Sequence, residues 1–245
     1  MNFLQLVQFA HRQIGGGGEF VGTTPLDVTV PFGPLAELAA SVNDAYKDIQ
    51  AEQNLWRFRT MQGTYIIPNG TRTIAKTVLQ ASLPLYERML PFVSPNDARY
   101  IRSYDSVIGT AQASYCFFYN YQRWRGWRDF GSIPSAQPMY HTFRPDETLE
   151  LYPISDTQNG NASQYQLSFD YLRTVDVLVG NAAVPIFPTE WHEAIGWRAV
   201  QYWGRSRQNA GIFGSAKAEF ERTMNQLRRT ELHEPLLGLT DYTTG

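Results

Sequence analysis

The chain has 245 residues, and its 21 Lys and Arg against 23 Asp and Glu give a formal net charge of -2. This balance excludes a global electrostatic attraction to nucleic acid or to an anionic membrane. Hydrophobic residues make up 43% of the sequence, but no stretch approaches the roughly 20 apolar residues of a membrane helix, so we expect a globular protein with a sizeable core and no membrane contact.

Residue usage favours a protein that assembles with partners. Only three of the 21 cations are lysines, whereas the chain has 14 Phe, 14 Tyr and 6 Trp. Arg, Tyr and Trp are enriched at protein interfaces, and Lys is depleted there. The single cysteine, Cys116, excludes an internal disulfide framework and a multi-cysteine metal site. Residues 1–14 lack the basic start and the cleavage site of a signal peptide, which predicts synthesis and use inside a cell.

The N-terminal part of the chain is predicted to be helical. Residues 2–14 have an apolar helical face and end at four glycines, so we expect residues 1–32 to be a helix followed by a flexible linker. The glycine run lacks the Lys-Ser/Thr ending of a phosphate-binding loop. Pro34 opens a second helix over 33–54, in which apolar residues are spaced by threes and fours.

A β-rich region is predicted over 55–185, inserted between helices. Aromatic residues at positions 56 and 58 alternate with Arg57 and Arg59, and the Gln62-Gly63 pair predicts a turn into a second strand. We therefore expect a β-hairpin with both arginines on its outer face. Residues 73–92 are predicted to be irregular, because Pro84 interrupts a helical pattern.

The second half of this region has the alternation of an antiparallel sheet with one covered face. At 165–171, Tyr, Leu, Phe and Tyr alternate with polar residues. Glu150 lies between Leu149 and Leu151 and is predicted to face water. A turn is expected at 159–161, between the strands that contain Leu151 and Tyr165.

In the C-terminal part of the chain, apolar residues again recur at helical spacing, which predicts two antiparallel helices at 189–208 and 212–231. A tail, residues 232–245, is too short and too interrupted to form a core element. The predicted fold class is α+β. The N- and C-terminal helices form a helical bundle with an inserted antiparallel β-module, and the core spans 33–231.

The common catalytic and metal-binding patterns are absent from the sequence. His192-Glu193 resembles half of a zinc-protease helix, but position 196, where the second histidine belongs, is Gly196. Asp146 and Glu150 resemble a nuclease core whose lysine position is Tyr152. The sequence therefore predicts no catalytic residue, no metal and no cofactor. An unrecognised enzyme, such as a cell-wall hydrolase that uses Glu190 and Glu193, is a minor hypothesis.

Arginine and tryptophan alternate over residues 121–128, and this segment has two interpretations. Interleaved Arg and Trp can hold phosphates and stack bases, which makes a DNA-binding protein the alternative hypothesis for the chain. In the other interpretation the rings pack in the core or at a subunit contact, and the guanidinium groups pair with carboxylates. Both interpretations apply to the residues that could line a channel or a subunit interface, namely Arg57, Arg59, Arg123, Trp124, Arg125, Trp127 and Arg128.

Three segments together resemble the head-to-tail connector, or adaptor, proteins of tailed bacteriophages. They are VNDAYKDIQAEQNLWRFRTMQGTYIIPNG (42–70), QPMYHTFRPDETLELYPISD with YQLSFDYLR (137–173) and FPTEWHEAIGWRAVQYWG (187–204), and they occur in the order of the family. The resemblance implies a non-enzymatic virion protein of the neck, made in the host cytoplasm. It further implies a ring, commonly dodecameric, that joins the portal protein to tail or nozzle proteins and extends the DNA channel without sequence-specific binding of the genomic DNA.

In these adaptors a C-terminal segment commonly reaches into clefts of the portal, and here that segment is 232–245. Pro235 and Gly238 would keep it extended, while its apolar side chains fill pockets of the partner. A tail folded back on its own domain is the alternative. The residues of the expected portal-binding tail are Leu232, Pro235, Leu236, Leu237, Leu239 and Tyr242.

Overall fold

The computed structural model describes residues 1–15, 24–29, 33–53, 56–90, 101–128, 134–156 and 164–232, without the side chains of residues 127 and 128. Its fold class is α+β, which confirms the prediction. The chain divides into two compact units. The helical unit comprises residues 1–59 and 175–245, and the β unit comprises residues 60–174.

The helices of the described residues are α1 (Phe3–Ile14), α2 (Pro34–Glu52), α3 (Lys76–Ser82), α4 (Tyr121–Arg128), α5 (His192–Ser206) and α6 (Ala210–Glu231). The strands are β1 (Thr60–Ile66), β2 (Thr73–Ile74), β3 (Tyr86–Met89), β4 (Arg102–Asp105), β5 (Ser114–Tyr115), β6 (Phe117–Phe118), β7 (Tyr140–Phe143), β8 (Leu149–Tyr152) and β9 (Tyr165–Arg173). Short 3₁₀ turns occur at Arg57–Arg59, Gly109–Gln112 and Thr189–Trp191.

In the helical unit, α5 packs against α1, α2 and α6. The sequence set residues 1–32 apart from the core, whereas α1 buries its apolar face, including Leu6 and Val7, in the same cluster as α2, α5 and α6. Gly196 of α5 permits this contact, because a Cβ atom at that position would lie 2.3 Å from Cδ1 of Phe9. The first helix is therefore part of the helical core.

Side-chain caps explain where two of these helices begin. Asn2 and Gln5 form a capping box, in which the Asn2 side chain accepts a hydrogen bond from the Gln5 N–H and the Gln5 side chain accepts one from the Asn2 N–H, both at 2.9 Å. At the start of α6, Asn209 accepts a hydrogen bond from the N–H of Ile212 at 3.1 Å. Each cap satisfies backbone donors that lack a partner within the helix.

The β unit contains two sheets among the described residues. In the five-stranded sheet, β9 lies in the centre, with β1 along one edge and both β3 and β4 along the other; β5 extends the sheet beyond β4. The alternation predicted for β9 is confirmed, because Tyr165, Leu167, Phe169 and Tyr171 are buried. The four-stranded sheet has the order β2-β8-β7-β6, and its β6–β7 pair is parallel, unlike the antiparallel module expected.

The hairpin predicted around Gln62-Gly63 is wrong. Residues 57–59 form a 3₁₀ turn, and β1 runs through Gly63 as one strand paired with β9. A Cβ atom at Gly63 would approach the ring of Tyr171 and the side chain of Leu83 to 3.0 Å. The glycine therefore serves close packing within the unit, not a turn.

A further local prediction needs correction, and another lies outside the described residues. The described part of the segment predicted to be irregular, residues 73–90, contains β2, α3 and β3, and Pro84 lies in the short connection between α3 and β3. The turn expected at 159–161 lies outside the described residues. The strands before and after it, β8 and β9, belong to different sheets.

The β unit ends at Thr174, earlier than the boundary of 185 expected from the sequence. The extended segment that follows belongs to the helical unit, because side-chain amides of α2 bind its backbone. Gln50 accepts a hydrogen bond from the N–H of Asp176 at 2.9 Å and donates one to its carbonyl oxygen at 3.0 Å. Asn43 makes the equivalent pair with Leu178, at 2.9 and 3.1 Å.

Candidate interaction surfaces

The base of the C-terminal tail is fixed to the helical unit. Leu232 forms a β-bridge with Trp56 and packs against the helical core. Trp56 is fully buried, and its indole N–H donates a hydrogen bond to the carbonyl oxygen of Ile49 at 2.8 Å. The other residues of the expected portal-binding tail lie outside the described residues, namely Pro235, Leu236, Leu237, Leu239 and Tyr242.

The two arginines of the predicted hairpin differ in exposure. Arg57 is exposed, whereas Arg59 is buried and donates a hydrogen bond from Nη1 to the carbonyl oxygen of Gln50 at 2.9 Å. The prediction that both lie on an outer face fails because a 3₁₀ turn does not alternate its side chains as a strand does. Arg59 therefore stabilises the end of α2 and is not available to line a channel in this conformation.

The Arg-Trp segment forms the helix α4. Trp124 is fully buried, and its ring packs near the rings of Tyr119 and Tyr152, at centroid distances of 6.4 and 6.1 Å. Arg123 and Arg125 are exposed. Because Trp124 faces the interior, it cannot stack on a base in this conformation. The side chains of Trp127 and Arg128 lie outside the described part of the chain.

Glu150 is buried, contrary to the prediction that it faces water. Its carboxylate lies 2.8 Å from the guanidinium of Arg72 and 2.9 Å from that of Arg144. Burial raises the pKa of Glu150, but hydrogen bonds from Arg144 and Trp124 and the charge of Arg72 outweigh it, so the pKa lies below its usual value. This cluster joins α4 to the four-stranded sheet.

A row of exposed aromatic side chains lies where the two sheets of the β unit meet. Tyr115, Phe117 and Tyr119, here called the aromatic row, are 45%, 46% and 42% exposed. The rings of Tyr115 and Phe117 are 6.3 Å apart, and Tyr140 lies 6.2 Å from Phe117 and 6.1 Å from Tyr119. Such rings are enriched at protein interfaces. The sequence contains these aromatic residues, but their exposure was not predicted from it.

Exposure differs among the acidic, histidine and cysteine side chains that could take part in catalysis. Glu190 and Glu193 are exposed, and His192 is buried beside the carbonyl oxygen of Phe187, 2.8 Å from Nε2. Cys116 is buried, and burial raises the pKa of its thiol, which keeps the thiol protonated and unreactive.

No group of three or more His, Cys, Asp or Glu in the described part of the chain is arranged to hold a metal ion. None of the helices in that part combines the length and apolar character required to cross a membrane.

Comparison with protein-family models gives a match over residues 1–237, nearly the whole chain, to the family described as SU10 adaptor protein. The chain belongs to the SU10 adaptor protein family. This confirms the resemblance to phage head-to-tail adaptors that three segments of the sequence indicated. Comparison with curated proteins finds no match.

Membership of the SU10 adaptor protein family defines the general role of the chain. It is a structural adaptor protein of a bacteriophage, and the family implies a non-enzymatic role. The family also implies association with portal and tail proteins in general and a location in the neck of the virion.

Proposed function

We propose that the chain assembles into a homo-oligomeric ring of about twelve copies that joins the portal to the tail and extends the channel for the genomic DNA. The observation that carries this proposal is the family match over residues 1–237, which covers both the helical unit and the β unit. The DNA passes through the ring without sequence-specific binding.

The proposed contact with the portal is made by the tail that follows α6. Leu232 is held by Trp56, so the apolar residues beyond it start from a fixed point on the helical unit. In this proposal Leu236, Leu237, Leu239 and Tyr242 enter clefts of the portal, and Pro235 keeps the chain extended. A free apolar segment of this kind is useful only where a partner buries it.

Deletion of residues 233–245 tests the portal contact. The truncation keeps Leu232, so we expect circular dichroism and thermal unfolding of the truncated protein to match those of the full chain. We expect it to be lost from portal complexes in co-sedimentation. A full-length control with Thr243 and Thr244 changed to Ala should sediment with the portal. Co-sedimentation of the truncated protein at wild-type levels would exclude the tail as the anchor.

Electron microscopy of the intact virion tests the ring and the channel. We expect a ring of about twelve copies of this chain between portal and tail. Arg57, Arg123 and Arg125, the exposed arginines of the candidate set, are proposed to face the channel or a neighbouring copy, and Trp127 and Arg128 are proposed on sequence alone. A neck that lacks this chain, or holds it as isolated copies, would contradict the proposal.

A further inference from the structure

A second exposed apolar row lies on the helical unit, on the segment that α2 binds. Val175, Val177 and Val179, here called the valine row, are 36%, 46% and 78% exposed. They alternate with Asp176 and Leu178, whose backbone groups are bound by the amides of Gln50 and Asn43. The four hydrogen bonds hold the backbone of Asp176 and Leu178 against α2, so the valines beside them form a preorganised surface.

The valine row and the aromatic row match in spacing. In both, three side chains recur at every second residue of an extended segment, which separates neighbouring side chains on one face by about 6.6 Å and gives each row a length of about 13 Å. Aromatic and β-branched side chains are favourable neighbours across paired strands. The two rows therefore have the same residue spacing and bring together side-chain types that pack well.

Cations lie beside the aromatic row, whereas the unit that carries the valine row is net acidic. Arg102 lies with its guanidinium carbon 6.0 Å from the ring centroid of Tyr115, and Arg123 and Arg125 follow Tyr119 on α4. These three exposed arginines make no ion pair with another described residue. The helical unit, which carries the valine row, has 14 Asp and Glu against 11 Lys and Arg. Such surfaces attract each other.

We infer that the aromatic row of one copy packs against the valine row of the next copy. This contact joins two different surfaces, so it is head-to-tail and can repeat around a closed ring. The inference rests on the proposed ring and identifies the residues that form its subunit contact. Arg102, Arg123 and Arg125 would then lie beside the net acidic helical unit of the neighbouring copy.

Another copy of the chain explains the aromatic row better than DNA does. The bases of a duplex are already stacked on one another and offer no free faces to tyrosine and phenylalanine rings, whereas single-stranded bases do. A row of three valines offers DNA neither hydrogen bonds nor positive charge. One contact between copies accounts for both rows.

Charged substitutions test the contact in the portal-adaptor complex made from full-length proteins. Phe117→Glu and Val177→Glu each place a carboxylate in the contact without a partner, so we expect each to reduce complete rings by at least about tenfold. Val107→Glu is the matched control, because Val107 is 78% exposed and lies in neither row. Rings are counted by negative-stain electron microscopy, and circular dichroism checks that each variant folds.

A mixing experiment shows whether the contact lies between copies. Full chains with Phe117→Cys are mixed with full chains with Val177→Cys, bound to portal and treated with a mild oxidant. A disulfide requires Cα atoms within about 7 Å, so the mixture should give a cross-linked dimer of the two variants, and neither variant alone should give it. Cys116, the native cysteine, is buried.

The outcomes separate the inference from the proposed function. Loss of rings in both Glu variants, with the mixed disulfide, supports the contact. Wild-type numbers of rings in both Glu variants would overturn the inference, as would a ring that forms without the disulfide. Neither result would contradict the proposed ring. Absence of any ring for the wild-type chain, on portal and in virions, overturns both. Intact rings that no longer bind a tail protein would assign the aromatic row to that protein and overturn the contact between copies.

Discussion

The carboxylate of Glu150 is held inside the β unit by two arginines from different parts of the chain. Arg72 precedes β2, and Arg144 follows β7, so the ion pairs tie the strands on either side of β8 to one buried charge. Removal of one partner from such a cluster leaves charge without compensation, which costs more than the cluster contributes when intact.

At the scale of this residue, Glu150→Gln is predicted to destabilise the protein. The variant keeps the shape of the side chain but leaves two guanidinium groups without a carboxylate. Because both arginines are partly exposed, we expect a loss of about 2–4 kcal/mol in the free energy of unfolding, measured by chemical denaturation. Glu147→Gln removes the exposed pair with Lys76 and should cost less than about 1 kcal/mol. Equal losses in the two variants would contradict the role of the buried cluster.

The contribution of Glu150 should also depend on pH. Its pKa in the folded protein lies below the ordinary value of 4.5, so the folded state binds this proton less readily than the unfolded state does. The stabilisation is therefore complete above about pH 4.5 and is lost as the pH falls through the lowered pKa. We expect the stability difference between the wild type and Glu150→Gln to shrink in acid. A constant difference over this range would rule out the lowered pKa.

The burial of Glu150 could not be read from the pattern of its neighbours. Alternation of apolar and polar residues predicts a strand with one buried and one solvent-facing side, as in β9. In β8, however, Leu149, Glu150 and Leu151 are all buried, because the strand lies inside its sheet and α4 contributes Trp124 to the cluster. Arg72 is remote from Glu150 in sequence and Arg144 is six residues away, and no local signal indicated that both meet at this carboxylate.

At the scale of elements, Gly196 sets how closely α1 approaches α5. The ring of Phe9 occupies the space that a Cβ atom at this position would need. The same ring packs edge-on against Trp197, with centroids 5.3 Å apart, so it cannot move without disturbing that contact. The helix contact thus depends on the absence of a side chain.

Gly196→Ala is therefore predicted to destabilise the helical unit. Overpacking at a close helix contact should lower the free energy of unfolding by about 1–3 kcal/mol. Gly214→Ala in α6 is the matched control, because nothing lies within 4 Å of a Cβ atom there and alanine favours a helix, so this variant should gain about 0.5–1 kcal/mol. Thermal or chemical unfolding of both variants measures the two effects. A stabilising Gly196→Ala would contradict the packing described for Phe9.

Elements with a long, regular pattern were predictable from the sequence, and elements fixed by distant contacts were not. The spacing of apolar residues in α2 and the alternation in β9 indicated their type and approximate position. The function of Gly63 depends on Tyr171 across the strand pair, so a turn was the local interpretation. Among the candidate site residues, the burial of Trp124 agrees with the interpretation that the rings of the Arg-Trp segment pack in the core, whereas the burial of Arg59 was not predicted.

At the scale of the whole molecule, the charge distribution argues against the alternative of a DNA-binding protein. The formal net charge is -2, and the β unit has ten Lys and Arg against nine Asp and Glu. Binding to phosphates requires several unopposed cations, and the affinity falls steeply with salt.

We therefore expect the purified full chain to give no retarded complex with duplex or single-stranded DNA at about 0.15 M salt in a gel-shift assay. A basic DNA-binding protein of known affinity serves as the positive control. A complex that dissociates steeply with salt and weakens when Arg123 and Arg125 are changed to Ala would favour the alternative.

The position of the β unit along the chain determines the order in which the protein can fold during synthesis. The core of the helical unit needs α5 and α6, yet about 140 residues separate the end of α2 from the start of α5. At ribosomal rates of about 5–20 residues per second, α1 and α2 are made roughly 7–28 s before their partners. The β unit, whose strands pair within 60–174, can form in that interval. The first helices to leave the ribosome thus keep their apolar faces open longest, which makes them the segment of the nascent chain that most needs a chaperone.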